Sequence, residues 1–384
     1  MKLEEREVIR LTKTMVEIES TNVGKFEKEM GDFVYEWLEK ETGLTIKRDY
    51  FAKDRFNVVA VLDGEIDDPG FVLICHMDVV PAGGGWTYEP FKPVIIDGKM
   101  YGRGAADMKS GLAAGMIAFR DIVKKARKPK FTLTFIASGD EEGNIMEGSM
   151  QALRSGYITK NSWVLDLEPS CGKIWPAHKG KTWFEITTEG KPAHGSTPWL
   201  GVDAIAAMAE IIQGIRERIE TMPEDKDFGR CSVCFGTLNA GINTNVVSDK
   251  ATLTLDMRLS PPLTTEGSIK LVEDAISDAV STIDGAKASY NIIAKRPFVP
   301  LVKSSLLLEK LQESVKKVTE KEASVEIFTG YTDSGVVSAE TGNINCMSYG
   351  PTGGAYHQAD EWVDCESITK VQDVAYDVIN KMIF

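Results

Sequence analysis

The chain has 384 residues, 43% of them apolar and 26% charged, with a formal net charge of −13. Such a composition is ordinary for a globular protein, and the length suits about two domains. A surface of this sign repels phosphate backbones and anionic headgroups, which argues against nucleic acid and membrane surfaces as partners.

At the N-terminus, Leu3, Val8, Leu11, Met15 and Ile18 recur at helical spacing. The segment lacks the basic start and apolar run of a signal peptide, and no apolar stretch reaches the roughly 18 residues of a membrane span. A cytoplasmic setting is therefore expected. Residues 71–78 (FVLICHMD) form a short apolar run, expected as a buried strand. Residues 109–125 predict a helix, 131–142 (FTLTFIASGDEE) a strand running into an acidic turn, and 162–170 (SWVLDLEPS) a strand ended by proline. This alternation argues for an α/β fold with a largely parallel sheet.

The middle of the chain reads differently. Strands are expected at 181–189, 231–238, 251–259 and 288–294, with helices at 202–219 and 267–283. Asp203 stands near the start of the first helix. The order β-α-β-β-α-β is the ferredoxin-like plan. The predicted architecture is a discontinuous catalytic domain, 1–178 and 294–384, interrupted by an α+β domain at 179–293. Cys231 and Cys234 form a CxxC within an apolar run, with no second pair to complete a zinc site, so both read as packing residues.

Only four histidines occur: His76, His178, His194 and His357. His76 ends the predicted strand 71–78 in HMDVVP, and ligands of open α/β sheets bind beyond the carboxyl ends of strands. Asp78 could hydrogen-bond the far nitrogen of that imidazole and so fix its tautomer. Alone, His76 reads equally well as a core histidine. Acidic residues in similar settings change the balance. Asp107 lies in YGRGAADMKSG, Glu141 and Glu142 in SGDEEG, Glu168 in LDLEPS, and His357 in GPTGGAYHQADEW. Imidazoles and carboxylates gathered beyond strand ends form a shell for divalent metal. Paired metals about 3.5–4 Å apart call for a bridging carboxylate. Two adjacent glutamates allow one to bind metal while its neighbour acts as general base. GRGAAD is not a dinucleotide-binding GxGxxG, and neither a GxSxG elbow nor a GxxxxGK[ST] loop is present.

The ordered set HMDVVP, GRGAADMKSG, SGDEEG, EPS, GKPAHGSTPWLGVDAI, NTNVVSD and GPTGGAYHQADE, spanning about residues 71–365, resembles the dinuclear zinc metallopeptidases and deacylases. That family includes acetylornithine deacetylase, succinyl-diaminopimelate desuccinylase, aminoacylase and carboxypeptidase G. The resemblance implies a mostly parallel mixed-sheet catalytic domain of the zinc exopeptidase type, with the insert as a ferredoxin-like lid and dimerisation domain. It implies that His76, Asp107 and Glu168 hold one zinc ion and that Asp107, Glu142 and His357 hold a second, with Asp107 bridging. Cobalt or manganese could substitute. Some relatives use an aspartate where Asp166 stands, but Glu-Pro is the commoner pattern and favours Glu168.

The same resemblance makes Glu141 the general base and acid. It sets His194 to polarise the substrate carbonyl from a partner subunit, and Asn245 and Arg258 to contact substrate. Gly353 and Gly354 would offer backbone N–H groups to a substrate carboxylate. His178 falls where relatives often carry a basic residue and reads as a hinge or surface position. The Asp107–Met108 peptide bond is expected to be cis. The implied protein is a homodimeric hydrolase of amino-acid metabolism acting on an N-acyl amino acid or short peptide. A dipeptidase or carboxypeptidase of the same family is the alternative, and a non-catalytic binding or assembly protein would have lost a ligand or the base.

Overall fold

The computed structural model describes residues 3–143 and 145–384. Its first compact unit holds the described residues up to Ala177 with Leu301–Glu326 and Thr332–Phe384, and its second holds His178–Pro300 with Ile327–Tyr331. In chain order come α1 (Glu7–Glu17), α2 (Lys28–Thr42), β1 (Ile46–Ala52), β2 (Arg55–Leu62), β3 (Ile66–His76), β4 (Val94–Ile96) and β5 (Lys99–Tyr101). Then follow α3 (Ser110–Val123), β6 (Phe131–Ser138), α4 (Glu147–Arg154), β7 (Trp163–Asp166) and β8 (Ile174–His178). The second unit contributes β9 (Gly180–Glu189), α5 (Ala204–Glu220), β10 (Ser232–Ala240), β11 (Lys250–Leu259), α6 (Thr265–Thr282) and β12 (Lys287–Arg296). The chain ends with α7 (Leu306–Thr319), β13 (Val325–Phe328), α8 (Asp333–Thr341), β14 (Cys346–Ser348), β15 (Gly353–Gly354), β16 (Trp362–Asp364) and α9 (Cys365–Ile383).

The first unit is built on an eight-stranded mixed sheet in the order β1-β2-β6-β3-β7-β14-β8-β13. Its central strands β6, β3, β7 and β14 run parallel, while β1, β2 and β8 join antiparallel. β3 is buried from Gly70-adjacent Phe71 through His76, because helices cover both faces and a central parallel strand must be apolar throughout. One face carries the main core, where Leu73, Leu112, Met116, Phe119 and Phe135 pack with Ile368 and Val371 of α9. On the other face, Val72, Ile74 and Ile136 meet Ala152 of α4 and Val337 of α8.

The second unit is a four-stranded antiparallel sheet, β10-β11-β9-β12, the strand order of the ferredoxin-like plan. Alternate residues of β11 are buried, and Leu253, Leu255 and Met257 pack with Phe184, Ile211, Ile215 and Val272. Helix α5 begins at Ala204 rather than 202 because the Asp203 carboxylate caps it, accepting from the Ile205 and Ala206 amides. β10 is an edge strand, so Cys234 faces solvent while Cys231, just before it, is buried. Only one of the CxxC pair is therefore a packing residue.

His178 also departs from expectation. It is 1% exposed at the end of β8, with ring contacts to Phe328 and Tyr331 at 6.0 and 5.7 Å. Burial pulls its imidazole down to about 3, so it is a neutral packing residue and not a surface base. Its aromatic neighbours lie some 150 residues away in sequence, beyond the reach of any local pattern. A further small sheet, β15-β16-β5-β4, was not legible in the sequence, since strands of two or three residues are too short to show periodicity. Among the described residues no helix is long and apolar enough to cross a membrane.

Candidate metal centre

The three central parallel strands end together, and each delivers a predicted residue there. His76 is the last residue of β3, Glu141 and Glu142 follow β6, and Glu168 stands two residues beyond β7. Asp107 lies in the loop between β5 and α3, and the Asp107–Met108 peptide is cis, as expected. His357 lies in the turn joining β15 to β16 and adopts a left-handed backbone with φ 60°. The small sheet pairs β16 with β5 and so brings the His357 turn against the Asp107 loop.

Asp107 faces two imidazoles with different oxygens. Its Oδ1 is 3.1 Å from His76 Nε2, and its Oδ2 is 3.3 Å from His357 Nε2. Glu142 Oε2 is 3.2 Å from His357 Nε2, while Glu168 Oε1 and Glu141 Oε2 are 3.8 and 3.9 Å from His76 Nε2. Two ligands on a tetrahedral ion with bonds of about 2.0–2.1 Å stand about 3.3 Å apart, so these spacings fit metal ligation. The grouping falls into two overlapping sets, His76–Asp107–Glu142 and His76–Glu141–Glu168. Glu142 Oε1 is buried without a hydrogen-bond partner, as a ligand atom awaiting a cation would be.

Electrostatics point the same way. Burial pushes Glu141 and Glu168 well above the usual carboxylate range, with neighbouring carboxylates adding to the shift. Burial also pushes Asp107 up, but hydrogen bonds from His357 and His76 outweigh it and hold that carboxyl below its ordinary value. His357 is lifted to about 10 by Asp107 and Glu142. Four carboxylates share this space with two imidazoles, an excess of buried negative charge that divalent cations would neutralise.

Asp78 does not take the place foreseen for it. The His76 Nδ1–H donates to the backbone carbonyl of Asp78 at 2.8 Å, and the Asp78 carboxylate is 3.9 Å away. The tautomer is still fixed, leaving Nε2 for ligation. The carboxylate instead accepts from the backbone amides of Glu141 and Glu142, both at 3.1 Å, and from Asn22 Nδ2 at 2.7 Å. Amides cannot turn away without breaking the β6–α4 turn, so they claim the carboxylate first. Asn22 also donates to Asp140, which Arg55 ties to Glu27. Sequence reasoning missed Asn22 because its partner lies 56 residues away. Asp166 is separate from the cluster: its Oδ2 accepts from the Ser334 amide, and burial pushes it well above the usual carboxylate range. Glu168, not Asp166, joins the site atoms.

Gly353 and Gly354 form β15. They pair with Val363 and Trp362, and a Cβ at Gly353 would come within 2.7 Å of Ala106 while one at Gly354 would meet the Trp362 ring at 2.9 Å. Packing therefore demands glycine there, whatever ligand approaches.

In the second unit, His194 and Asn245 occupy adjoining exposed loops, joined by the Gly195 amide on the Asn245 carbonyl at 2.7 Å. His194 Nδ1 lies 2.8 Å from the Ser196 hydroxyl and accepts from the Ser196 amide at 3.2 Å. Arg258 lies near the far end of β11, with Nε and Nη2 both on Asp256 Oδ2 at 3.1 and 2.9 Å. Lys181 stands directly across from it on β9.

Comparison with known proteins adds the following. A model of the peptidase family M20/M25/M40 matches residues 72–381. A "probable succinyl-diaminopimelate desuccinylase" of Staphylococcus aureus is 27% identical, covering 96% of each chain. A succinyl-diaminopimelate desuccinylase of Acinetobacter baumannii is 27% identical over 88% of this chain and 93% of its own. Among solved structures, a Staphylococcus aureus tripeptidase superposes with a TM-score of 0.80 at 22% identity, covering 97% of each chain. An M20 family metallo-carboxypeptidase of Sulfolobus solfataricus gives 0.79 at 18% identity over 97% of this chain and 98% of that one.

Proposed function

The chain belongs to the peptidase family M20/M25/M40, and on that footing we propose that this metal-dependent hydrolase cleaves the amide bond of an N-acyl amino acid or short peptide bearing a free carboxylate. The observation that carries the reading is Asp107 presenting one oxygen to each of two imidazoles, the arrangement of a ligand shared between two ions. His76, Asp107 and Glu168 would hold one ion, and Asp107, Glu142 and His357 the other, with zinc the natural occupant of such a mixed nitrogen and carboxylate set. When bound, the pair supplies Lewis-acid activation of water and of the scissile carbonyl. Glu141 accepts the proton from water and returns it to the leaving amine, a role suited to a carboxyl whose proton affinity burial has raised. Asp78 holds the Glu141 backbone in place through the amide hydrogen bond. The reading agrees with the relatives named as succinyl-diaminopimelate desuccinylases.

The second unit is the lid and the dimer contact in this reading. β10 leaves a nine-residue edge unpaired within its sheet, with Leu238 53% exposed and Ile242, just beyond, 90% exposed. A second copy related by two-fold symmetry would cover that edge. Strand geometry supports the same conclusion. From Lys250 to Arg258 is about 26 Å at 3.3 Å per residue, and the His194 loop adjoins the Lys250 end. That separation favours a homodimer in which His194 and Asn245 come from the partner copy. Sedimentation of the active enzyme should show a dimer, and an active monomer would refute this.

Arg258 and Lys181 would receive the substrate carboxylate. The β11–β9 register sets these two cationic residues side by side. A carboxylate there gains charge-assisted hydrogen bonds. The test is a matched substrate pair, free acid and amide, assayed on wild type and on Arg258→Ala. Wild type should prefer the acid by about tenfold or more, from one bond of about 1.5–3 kcal/mol, and the variant should lose most of that preference. Equal cleavage of both substrates by wild type would remove the carboxylate from the substrate class.

A further inference from the structure

Glu361, four residues after His357, is 0% exposed, and its carboxylate is surrounded by donors. Oε1 accepts from the backbone amides of Ala106 at 2.9 Å and Asp107 at 3.0 Å. Oε2 accepts from the Gly104 amide at 3.1 Å and from Arg103 Nη1 at 2.5 Å. Its own carbonyl accepts from the Gly102 amide at 2.9 Å. One side chain on the His357 turn thus holds the amides of Gly104, Ala106 and Asp107 and the Arg103 guanidinium. Arg103, 1% exposed, extends the tie by donating to the Ala82 carbonyl at 3.2 Å.

We infer that Glu361 is the positioning residue that sets Asp107 against His357, and so fixes the geometry of the ion those two residues share, an inference that rests on the dinuclear reading of the site. All four side-chain partners are donors, so a proton on either oxygen would face an N–H. Glutamine is nearly isosteric but carries an NH₂ group, which must oppose either the Ala106–Asp107 pair or the Gly104–Arg103 pair. Aspartate keeps the charge but withdraws the oxygens by one methylene. Asp107 belongs to both ion sites and His357 to only one. Loosening the tie therefore weakens the ion held by Asp107, Glu142 and His357 more than the ion held by His76, Asp107 and Glu168. A residue that merely stabilised the fold would weaken both alike.

The test is stepwise Co²⁺ binding to metal-free wild type and Glu361→Gln, read by d–d absorption and by bound metal after dialysis. Wild type should take two ions. The variant should bind its first ion nearly as wild type does and its second about 10–100-fold more weakly, the usual effect of disturbing a residue behind a ligand. Its kcat should fall by a similar factor with KM little changed. If Glu361→Gln does not fold, Glu361→Asp carries the same expectation of a selectively weakened second step. Two unchanged steps, or two steps weakened equally, overturn the role of Glu361 alone. A wild type that takes fewer than two ions defeats the dinuclear reading and this inference with it.

Discussion

Glu141→Gln should retain two metal ions per chain and lose about 10²–10⁴-fold in kcat, the range a well-placed general acid–base contributes. Glutamine matches the side chain in shape, and the backbone hydrogen bond from residue 141 to Asp78 Oδ1 at 3.1 Å is untouched. Only the capacity to take and return a proton is removed. The adjacent Glu142→Gln should behave in the opposite way. Glu142 Oε2 is 3.2 Å from His357 Nε2, inside the ligand group, so that variant should lose metal before it loses anything else. Metal content by elemental analysis, alongside steady-state kinetics, separates the two. A Glu141→Gln enzyme that turns over at the wild-type rate would place the base elsewhere.

The other large effect is expected at Asp107. Asparagine there keeps one acceptor oxygen and turns an NH₂ group toward one of the two imidazoles, so at most one ion can be held as before. Losing the paired centre forfeits several kcal/mol of Lewis-acid activation, which is about 10³-fold or more in kcat/KM. Chelation of wild type should cause a comparable loss, reversed by adding zinc, cobalt or manganese, while Asp107→Asn should not be rescued. A second readout is independent of turnover. Metal at 100 times its dissociation constant stabilises a folded protein by about 2.7 kcal/mol, so wild type should show a clear rise in Tm on metal addition. Asp107→Asn should show a much smaller one. A variant that keeps both ions and the full Tm response would mean that Asp107 does not bridge.

Much of this protein could be read from its residues because the informative patterns are local. The continuous apolar run before His76 belongs to a central parallel strand, and the acids of SGDEEG and LDLEPS follow two more, so sequence alone located the chemistry at the carboxyl ends of adjacent strands. Period-2 and period-3.6 patterning marked out the β-α-β-β-α-β unit, and Asp203 announced the start of α5. Tertiary structure decided what each side chain does once there. The Asp78 carboxylate serves the Glu141 and Glu142 amides, more than sixty residues away, rather than the imidazole two residues before it. Ala106 and Trp362 leave no room for a side chain at Gly353 and Gly354. Glu361 reaches amides some 255 residues distant, and Arg258 stands across from Lys181 only through strand register. The physical reason is common to all of these. Backbone amides and cross-strand partners are supplied by whichever segments the fold brings alongside, and residue identity and spacing carry no record of that until long-range pairing is complete.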